Sequence, residues 1–258
     1  MSEGLLNDYS RQAETYDATR GASPSILAPV REALWGAPGR RLLDVGGGTG
    51  NYGRALQDEG WDVLVLDRSP AMLARAASKG LETREADAQS LPLQDASADA
   101  VLMVSMLHHV DDPPRALAEA RRVLRPGGRL ALMVYAREDI EAQWYHDYFP
   151  STRAWMVASH PTLAQLMAEL PGVRRLPVVF TDLDDASLSA LSAFPERVLE
   201  ADWRRQTSYF ERLERDRPSE LRAGLKRLER DLAEGRGPAG AGGGSVLAWE
   251  KPAGGEAG

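Results

Sequence analysis

The fold of this protein is decided by residues 42–50, which read Leu-Leu-Asp-Val-Gly-Gly-Gly-Thr-Gly. An apolar run predicts a strand over residues 41–45, and the strand leads directly into glycines at positions 46, 48 and 50. Glycine lets the backbone turn sharply and lets a ligand approach without a clash against Cβ. A helix is expected from about Gly50, and its first turn presents unpaired N–H groups to a negative group. The stretch therefore predicts a ligand-binding turn at the carboxyl edge of a parallel sheet.

Strands and helices alternate around this turn. Further strands are predicted at residues 63–66, 81–85, 100–105 and 129–135, and helices are predicted from Ser69-Pro70 to Lys79 and from Pro113 to Leu124. Beyond them we expect strands at 174–181 and 246–250, with mostly helical segments over 139–170 and 184–233. Such alternation predicts a doubly wound α/β sheet of seven strands, the last of them antiparallel, beneath a helical cover.

The chain is expected to form a single domain, since its last strand must return to the first sheet. Its expected parts, in chain order, are an N-terminal helical lid (1–36), a core that carries the binding turn (37–136), helical insertions around strand six (137–245), the last strand (246–251) and a disordered tail (252–258).

Composition excludes several classes of protein. The 258 residues are 43% hydrophobic and 27% charged, which is typical of a globular chain. Cysteine is absent, so disulfides, thiolate metal sites and cysteine nucleophiles are excluded. The net charge of −7 opposes binding to phosphate backbones and anionic lipid. No apolar run reaches the roughly 20 residues of a spanning helix, and the first residues lack a basic leader, so we expect a cytoplasmic protein.

Two other interpretations of the glycine turn stay open. Residues 48–53 match the G-x-G-x-x-G pattern of dinucleotide sites, although that pattern alone is weak. Its first glycine lies three residues beyond the strand end, which makes the loop longer than the tight dinucleotide turn. The carboxylate of Asp44 would repel a pyrophosphate but attract an ammonium. A nicotinamide or flavin enzyme, and a purely structural loop, remain the alternatives.

Four more motifs follow the turn in a fixed order: VLVLDRSPAML at 63–73, EADAQSLP at 85–92, LHHVDD at 107–112 after a fourth strand, and RVLRPGG at 122–128. Together with residues 42–50 they resemble the motifs of class I S-adenosylmethionine-dependent methyltransferases, in the small-molecule branch typified by ubiquinone and menaquinone biosynthesis. The resemblance covers residues 40–135, and its strength lies in the joint order and spacing of the motifs. The rest of the chain matches only loosely.

The resemblance implies roles for ten residues toward S-adenosylmethionine. Gly46, Gly48 and Gly50 would pass under its methionine part, with Asp44 near the ammonium group and the Ser105 backbone nearby. Asp67, at the end of the second strand, would accept hydrogen bonds from the ribose hydroxyls; its alternative role is a helix cap. Around the adenine the resemblance places Arg68, Met72, Asp87 and Ala88. Met72 could equally belong to the core, and Asp87 could be a solvated loop residue.

The implied chemistry is an in-line displacement at the methyl carbon, in which orientation of the acceptor supplies much of the catalysis. A base is needed only when the acceptor arrives protonated. His109 is the candidate catalytic base and His108 the second choice, with a substrate-side position. The alternative is that the pair packs locally after strand four. Asp111 and Asp112 precede two prolines and indicate a helix cap, so no metal site is expected.

Aromatic residues crowd the segment after strand five, where Trp144, Tyr148 and Trp155 are candidates for an acceptor pocket. The alternative is that they bury this insertion on the sheet. Tyr16 and Arg20, on the N-terminal helix, are the candidate lid contacts to substrate.

These observations favour methyl transfer to the oxygen, nitrogen or carbon of a small molecule, such as a secondary metabolite or a quinone-like acceptor. One alternative is a protein that binds S-adenosylmethionine without methyl transfer, in regulation or in a rearrangement. Another is a tRNA methyltransferase, but residues 203–231 mix nine basic with six acidic residues, which is typical of a solvated face. Nucleic acid and membrane partners are therefore not expected, and the chain is expected to be a monomer or homodimer.

Overall fold

The computed structural model describes residues 21–180, 188–238 and 243–253. Its strands are β1 (Arg41–Val45), β2 (Asp62–Asp67), β3 (Glu82–Glu85), β4 (Ala98–Val104), β5 (Leu124–Val134), β6 (Arg174–Val179) and β7 (Gly243–Glu250). The helices of the first half are α1 (Pro24–Leu34), α2 (Asn51–Asp58), α3 (Pro70–Ser78) and α4 (Pro113–Val123). Those that follow β5 are α5 (Arg137–Glu141), α6 (Tyr145–Tyr148), α7 (Ser151–Ala158), α8 (Leu163–Glu169), α9 (Leu188–Ala193), α10 (Ala201–Arg204), α11 (Ser208–Asp216) and α12 (Pro218–Ala233). Short 3₁₀ turns occupy Leu107–His109 and Pro195–Leu199.

The seven strands form one sheet in the order β3-β2-β1-β4-β5-β7-β6. Strands β1 to β5 pair in parallel, and β7 is antiparallel to both of its neighbours, β5 and β6. The predicted doubly wound sheet with an antiparallel last strand is therefore confirmed. The strand order reverses between β1 and β4, so a crevice opens at their carboxyl ends, where open α/β sheets bind ligands.

The apolar strands alternate their side chains between two cores, which explains why they read as continuous hydrophobic runs. On β1, Leu43 and Val45 face the core that α4 and α8 cover, whereas Leu42 faces the core that α1, α2 and α3 cover. Helix α1 belongs to this second core through Ile26 and Val30. The described part of the expected lid thus packs on the sheet, and the part with Tyr16 and Arg20 lies outside the described residues.

Three strands begin two or more residues earlier than the sequence predicts. Strand β5 begins at Leu124 instead of residue 129, because Leu124 still pairs with Ala98 and residues 125–128 bulge out before pairing resumes at Ala100 and Arg129. For the same reason β4 begins at Ala98. Strand β7 begins at Gly243, where two glycines pair with the end of β6. Glycine is depleted in strands, so the sequence favoured a later start.

The helices after β5 build a third core of their own, which is the predicted helical cover. Its largest fully buried side chains are Tyr145, Phe149 and Phe210. A buried hydrogen-bond network runs through Thr152, whose Oγ1 accepts from the Tyr209 hydroxyl at 2.9 Å and donates to the Phe149 carbonyl at 2.6 Å. In the described residues, no helix has the length and apolar character that crossing a bilayer requires.

Candidate cofactor-binding site

The glycine turn uses left-handed backbone, which glycine adopts without a steric cost. Gly46, Gly48 and Gly50 have φ angles of +68°, +56° and +74°. The N–H of Gly46 donates to the Leu66 carbonyl at 2.7 Å, which ties the turn to the end of β2. A Cβ at Gly46 would lie 2.9 Å from the Cβ of Met106, whereas a Cβ at Gly48 would meet nothing within 4 Å. Gly46 is therefore fixed by packing, and Gly48 presents open backbone.

Asp67 lies at the carboxyl end of β2 and is held by two backbone donors. Its Oδ2 accepts from the Gly48 N–H at 2.9 Å, and its Oδ1 accepts from the Ser69 N–H at 2.8 Å. Since each carboxylate oxygen can accept more than one hydrogen bond, both keep capacity for a ligand. The half-buried carboxylate thus joins the glycine turn to the start of α3.

Asp44 lies beneath the turn and is 1% exposed. Its side chain packs closely against two glycines. A Cβ at Gly47 would lie 2.6 Å from the Asp44 Cγ, and a Cβ at Gly53 would lie 2.8 Å from its Oδ2. Oδ2 has no hydrogen-bond partner among the described residues. Burial raises the pKa of Asp44 to about 7; a hydrogen bond from the Gly53 backbone opposes this shift, and the charge of Asp67 adds to it.

The four residues predicted to lie around adenine follow the carboxyl ends of β2 and β3. Met72 is 3% exposed in the first turn of α3, whereas Arg68 is exposed just before it. Ala88 is buried, and Asp87 is exposed with its Oδ1 accepting from the Gln89 backbone N–H at 2.8 Å. Asp87 therefore stabilises the turn after β3, and its contact with adenine remains a prediction.

The segment after β4 begins with strained backbone. Ser105 has a φ of +51°, which non-glycine residues seldom adopt, and its N–H donates to the Met133 carbonyl at 3.0 Å. Strain of this kind clusters at functional sites. Ser105 directly follows β4 at the carboxyl edge of the sheet, and its contact with the cofactor stays a prediction.

The 3₁₀ turn Leu107–His109 brings three imidazoles together. The rings of His108 and His109 lie 3.9 Å apart between centroids, and His108 stacks on His160 at 5.2 Å with an interplanar angle of 15°. His109 is exposed, as a base that meets an acceptor must be. His160 is 6% exposed, bonds the Met156 carbonyl through Nδ1 at 2.7 Å, and has its pKa lowered by burial. Sequence reasoning missed His160, since 52 residues separate it from His108.

Asp112 caps α4 as expected, since its Oδ1 accepts from the Arg115 N–H at 3.0 Å.

The three predicted pocket aromatics lie in the helical cover. The Trp144 Nε1 donates to the Ser192 carbonyl at 2.8 Å, and the Tyr148 hydroxyl donates to Asp231 at 3.1 Å. Trp155 lies under the guanidinium of Arg212 at 4.5 Å. Packing within the cover accounts for these contacts, so contact with an acceptor stays a prediction.

A groove of about 560 Å³ lies at the opposite, amino-terminal edge of the strands, between Trp35 and Trp249. Its Arg31 and Arg129 are paired with Glu59 and Glu250. The groove lacks the glycine turn and the strand-end carboxylates, so we place the functional site by its chemistry and not by cavity size.

Residues 43–132 match the family model described as a methyltransferase domain. This stretch is a methyltransferase domain. It contains most of β1, all of β2 to β4, most of β5, and the residues predicted for the cofactor. The cofactor that the sequence motifs imply for this domain is S-adenosylmethionine. The residues present fit it: an unpartnered, buried carboxylate oxygen suits an ammonium, and Asp67 suits a ribose.

The methyltransferase domain has relatives among proteins of known role. The chain is 37% identical over 163 residues to the ubiquinone/menaquinone biosynthesis C-methyltransferase UbiE of Paracoccus denitrificans, a match that covers 57% of this chain and 65% of that protein. The chain spans about half the length of the first curated relatives it matches.

Two solved structures share the fold. A protein of Anabaena variabilis, assigned to the methyltransferases of an antibiotic biosynthesis pathway, superposes with a TM-score of 0.69 at 24% identity, over 86% of this chain and 96% of its own. The [4+2]-cyclase SpnF superposes with a TM-score of 0.55 at 23% identity, over 89% of this chain and 80% of its own. At these identities both likenesses concern the fold of the methyltransferase domain and its cover.

Proposed function

We propose that the protein transfers a methyl group from S-adenosylmethionine to a small-molecule acceptor, a secondary metabolite or a quinone-like compound. The observation that carries the proposal is the buried carboxylate of Asp44, whose Oδ2 has no partner among the described residues, beneath the open backbone of Gly48. A buried polar atom without a partner is costly unless a ligand satisfies it. An ammonium satisfies the ionised carboxylate, whereas the pyrophosphate of a dinucleotide would be repelled by it.

The chain's own residues bind and orient in this reaction. Asp67 holds the ribose hydroxyls, the glycine turn lies under the amino-acid half, and Asp44 accepts from its ammonium group. The cofactor, when bound, supplies an electrophilic methyl group with a neutral thioether as leaving group. The acceptor atom forms a bond to the methyl carbon as the carbon–sulfur bond breaks, so correct placement contributes most of the acceleration.

His109 takes the proton of an acceptor that arrives as a hydroxyl or phenol. It lies at the end of the 3₁₀ turn after β4, exposed at the carboxyl edge of the sheet. Imidazole is the side chain whose charge ordinarily changes near neutral pH, so it is suited to accept a proton there and return it to water. An acceptor that is already an anion needs no such step.

A small acceptor is supported by the charge distribution. Several arginines of α11 and α12 are paired with acids of the same helices, including Arg212 with Asp216 and Arg230 with Asp231. These ion pairs reduce the positive charge that would attract a phosphate backbone.

The relationship to UbiE and the fold shared with the Anabaena protein support a quinone-like or secondary-metabolite acceptor. The cover places Trp144, Tyr148 and Trp155 in one aromatic cluster, which we propose to form part of the acceptor wall.

A cofactor-binding protein without methyl transfer is the second candidate, since the cyclase SpnF has this fold. The two are separated by incubating the protein with methyl-labelled S-adenosylmethionine and extract of the source cells. Methyl transfer predicts S-adenosylhomocysteine and a labelled product heavier by one CH₂ group, both lost in Gly46→Val. Cofactor binding in calorimetry without either product would favour the second candidate. Transfer of label to tRNA instead would overturn the small-molecule assignment.

A further inference from the structure

Asp44 is surrounded by groups that give its negative charge little support. Its register partners on the neighbouring strands are Val65 on β2 and Leu102 on β4, and both are fully buried. Above it, Gly47 and Gly53 close in without side chains. A carboxylate in such a setting loses its hydration and gains little in exchange.

The charged side chain that acts on Asp44 from β2 is Asp67, and it is another acid. The uncharged positions that face it from β4, from the glycine turn and from α2 are Leu102, Gly47 and Gly53. The stabilising contact is one hydrogen bond from the Gly53 backbone. No cation among the described residues contributes to the pKa of Asp44, so the nearby carboxylate of Asp67 favours protonation of the more buried Asp44.

We propose that Asp44 carries a proton in the cofactor-free protein and loses it to solvent when the ammonium of the cofactor's amino-acid half binds. The O–H bond of the carboxyl group breaks, the proton passes to water, and the carboxylate pairs with the ammonium. Asp44 thereby selects ligands with this ammonium over nucleosides that lack it. The inference rests on the proposed function, because it assumes that S-adenosylmethionine occupies the crevice.

The titration of Asp44 fixes the pH range of the effect. Its pKa in the cofactor-free protein is about 7. A ligand that requires the carboxylate therefore binds about tenfold more weakly for each pH unit below about 7, and its affinity levels off above. At about pH 6 close to one proton leaves the protein for each ligand bound, whereas at about pH 8 the release is about a tenth of that.

The test uses S-adenosylhomocysteine as the probe, since it has the amino-acid half and is stable. Calorimetric titrations at about pH 6 and about pH 8, each in two buffers of different ionisation enthalpy, give the affinity and the protons released. The matched ligand is 5′-methylthioadenosine, which shares the nucleoside and the thioether but has no ammonium. The expected result is pH-dependent binding with proton release for the first ligand and neither for the second.

Two variants assign the proton. Asp44→Asn is nearly isosteric with the wild-type side chain and cannot release a proton, so proton release at about pH 6 should disappear. The control variant is Asp62→Asn, which makes the same change at the first residue of β2. The Asp62 carboxylate is exposed and paired with Arg41, so this variant should behave like wild type. Circular dichroism of both variants confirms folding.

The outcomes separate the two proposals. An affinity for S-adenosylhomocysteine that does not change with pH, or proton release that persists in Asp44→Asn, would overturn the inference and leave the proposed function standing. Equal pH dependence for 5′-methylthioadenosine would also overturn it, because the proton would then come from another group. Absence of S-adenosylhomocysteine binding at either pH would contradict the proposed function itself.

Discussion

The backbone N–H of Gly48 donates to the Oδ2 of Asp67 at 2.9 Å, so the turn after β1 and the acid after β2 form one unit. The other carboxylate oxygen of Asp67 accepts from the Ser69 N–H at 2.8 Å, which extends the unit to the start of α3. These two bonds fix the carboxylate before any ligand arrives, and a preorganised acceptor binds with a smaller entropy cost.

Replacement of this acid should weaken cofactor binding. In Asp67→Ala the ribose loses its acceptor and the N–H groups of Gly48 and Ser69 lose theirs, so binding of S-adenosylhomocysteine should weaken by about 1–3 kcal/mol. Calorimetry measures the change, with Asp62→Ala at the other end of β2 as the control. Wild-type affinity in Asp67→Ala would remove the ribose role.

Substitution of the first glycine should abolish binding with little loss of fold. Gly46→Val forces a branched side chain into a φ of +68° and within 2.9 Å of Met106. Gly60→Val is a matched control, because Gly60 has a φ of +91° and a Cβ there would meet nothing within 4 Å. We expect helical circular dichroism in both variants and cofactor binding in the control alone; binding in Gly46→Val would count against the turn.

The buried acid should make stability pH-dependent. The folded pKa of Asp44 is about 7, above the unfolded value of about 3.9, so the folded state holds an extra proton between these values. The contribution of Asp44 to the free energy of unfolding is greatest below about pH 4. It falls as the pH rises from there and is lost once the pH has passed about 7. Asp44→Asn removes this loss, so its free energy of unfolding relative to wild type should rise by about 2–3 kcal/mol from about pH 5 to about pH 8. Urea unfolding at both pH values measures it, and an equal difference at both would refute the burial account.

The candidate base should affect turnover more than cofactor affinity. His109→Ala removes the proton acceptor but leaves Asp44, Asp67 and the glycine turn in place. With a hydroxyl acceptor we expect a fall of about 10²–10⁴-fold in kcat and the loss of the ascending pH limb. His108→Ala is the comparison, since it disturbs the stack with His160 but keeps the base. A pH–rate profile unchanged in His109→Ala would leave His109 a structural residue.

The fold and the cofactor side of the site were predictable because their signals are local. The run at 42–50 carries the strand, the turn and the buried acid within nine residues, and Asp67 is marked by its place after an apolar strand. The parallel order of β1, β2, β4 and β5 was predictable because each of these strands is largely buried and is followed by a helix.

Other features depend on contacts between distant segments, which no local pattern reports. His160 reaches His108 because α7 and its following turn pack beside the exit of β4, and the hydrogen bond of Tyr209 to Thr152 joins residues 57 positions apart. The bulge at 125–128 arises because Leu124 pairs with Ala98. The Pro-Gly-Gly sequence within it is typical of a turn, so the pattern predicts that the strand begins later. The aromatic residues at 144, 148 and 155 suit a pocket or a core equally, and composition alone does not separate the two.

The most direct test of the central claim is a crystal structure of the protein soaked with S-adenosylhomocysteine. The account predicts the amino-acid half above the glycine turn with its ammonium at Asp44, and both ribose hydroxyls on Asp67. An empty crevice, or a ligand bound with a pyrophosphate at Gly48, would contradict it.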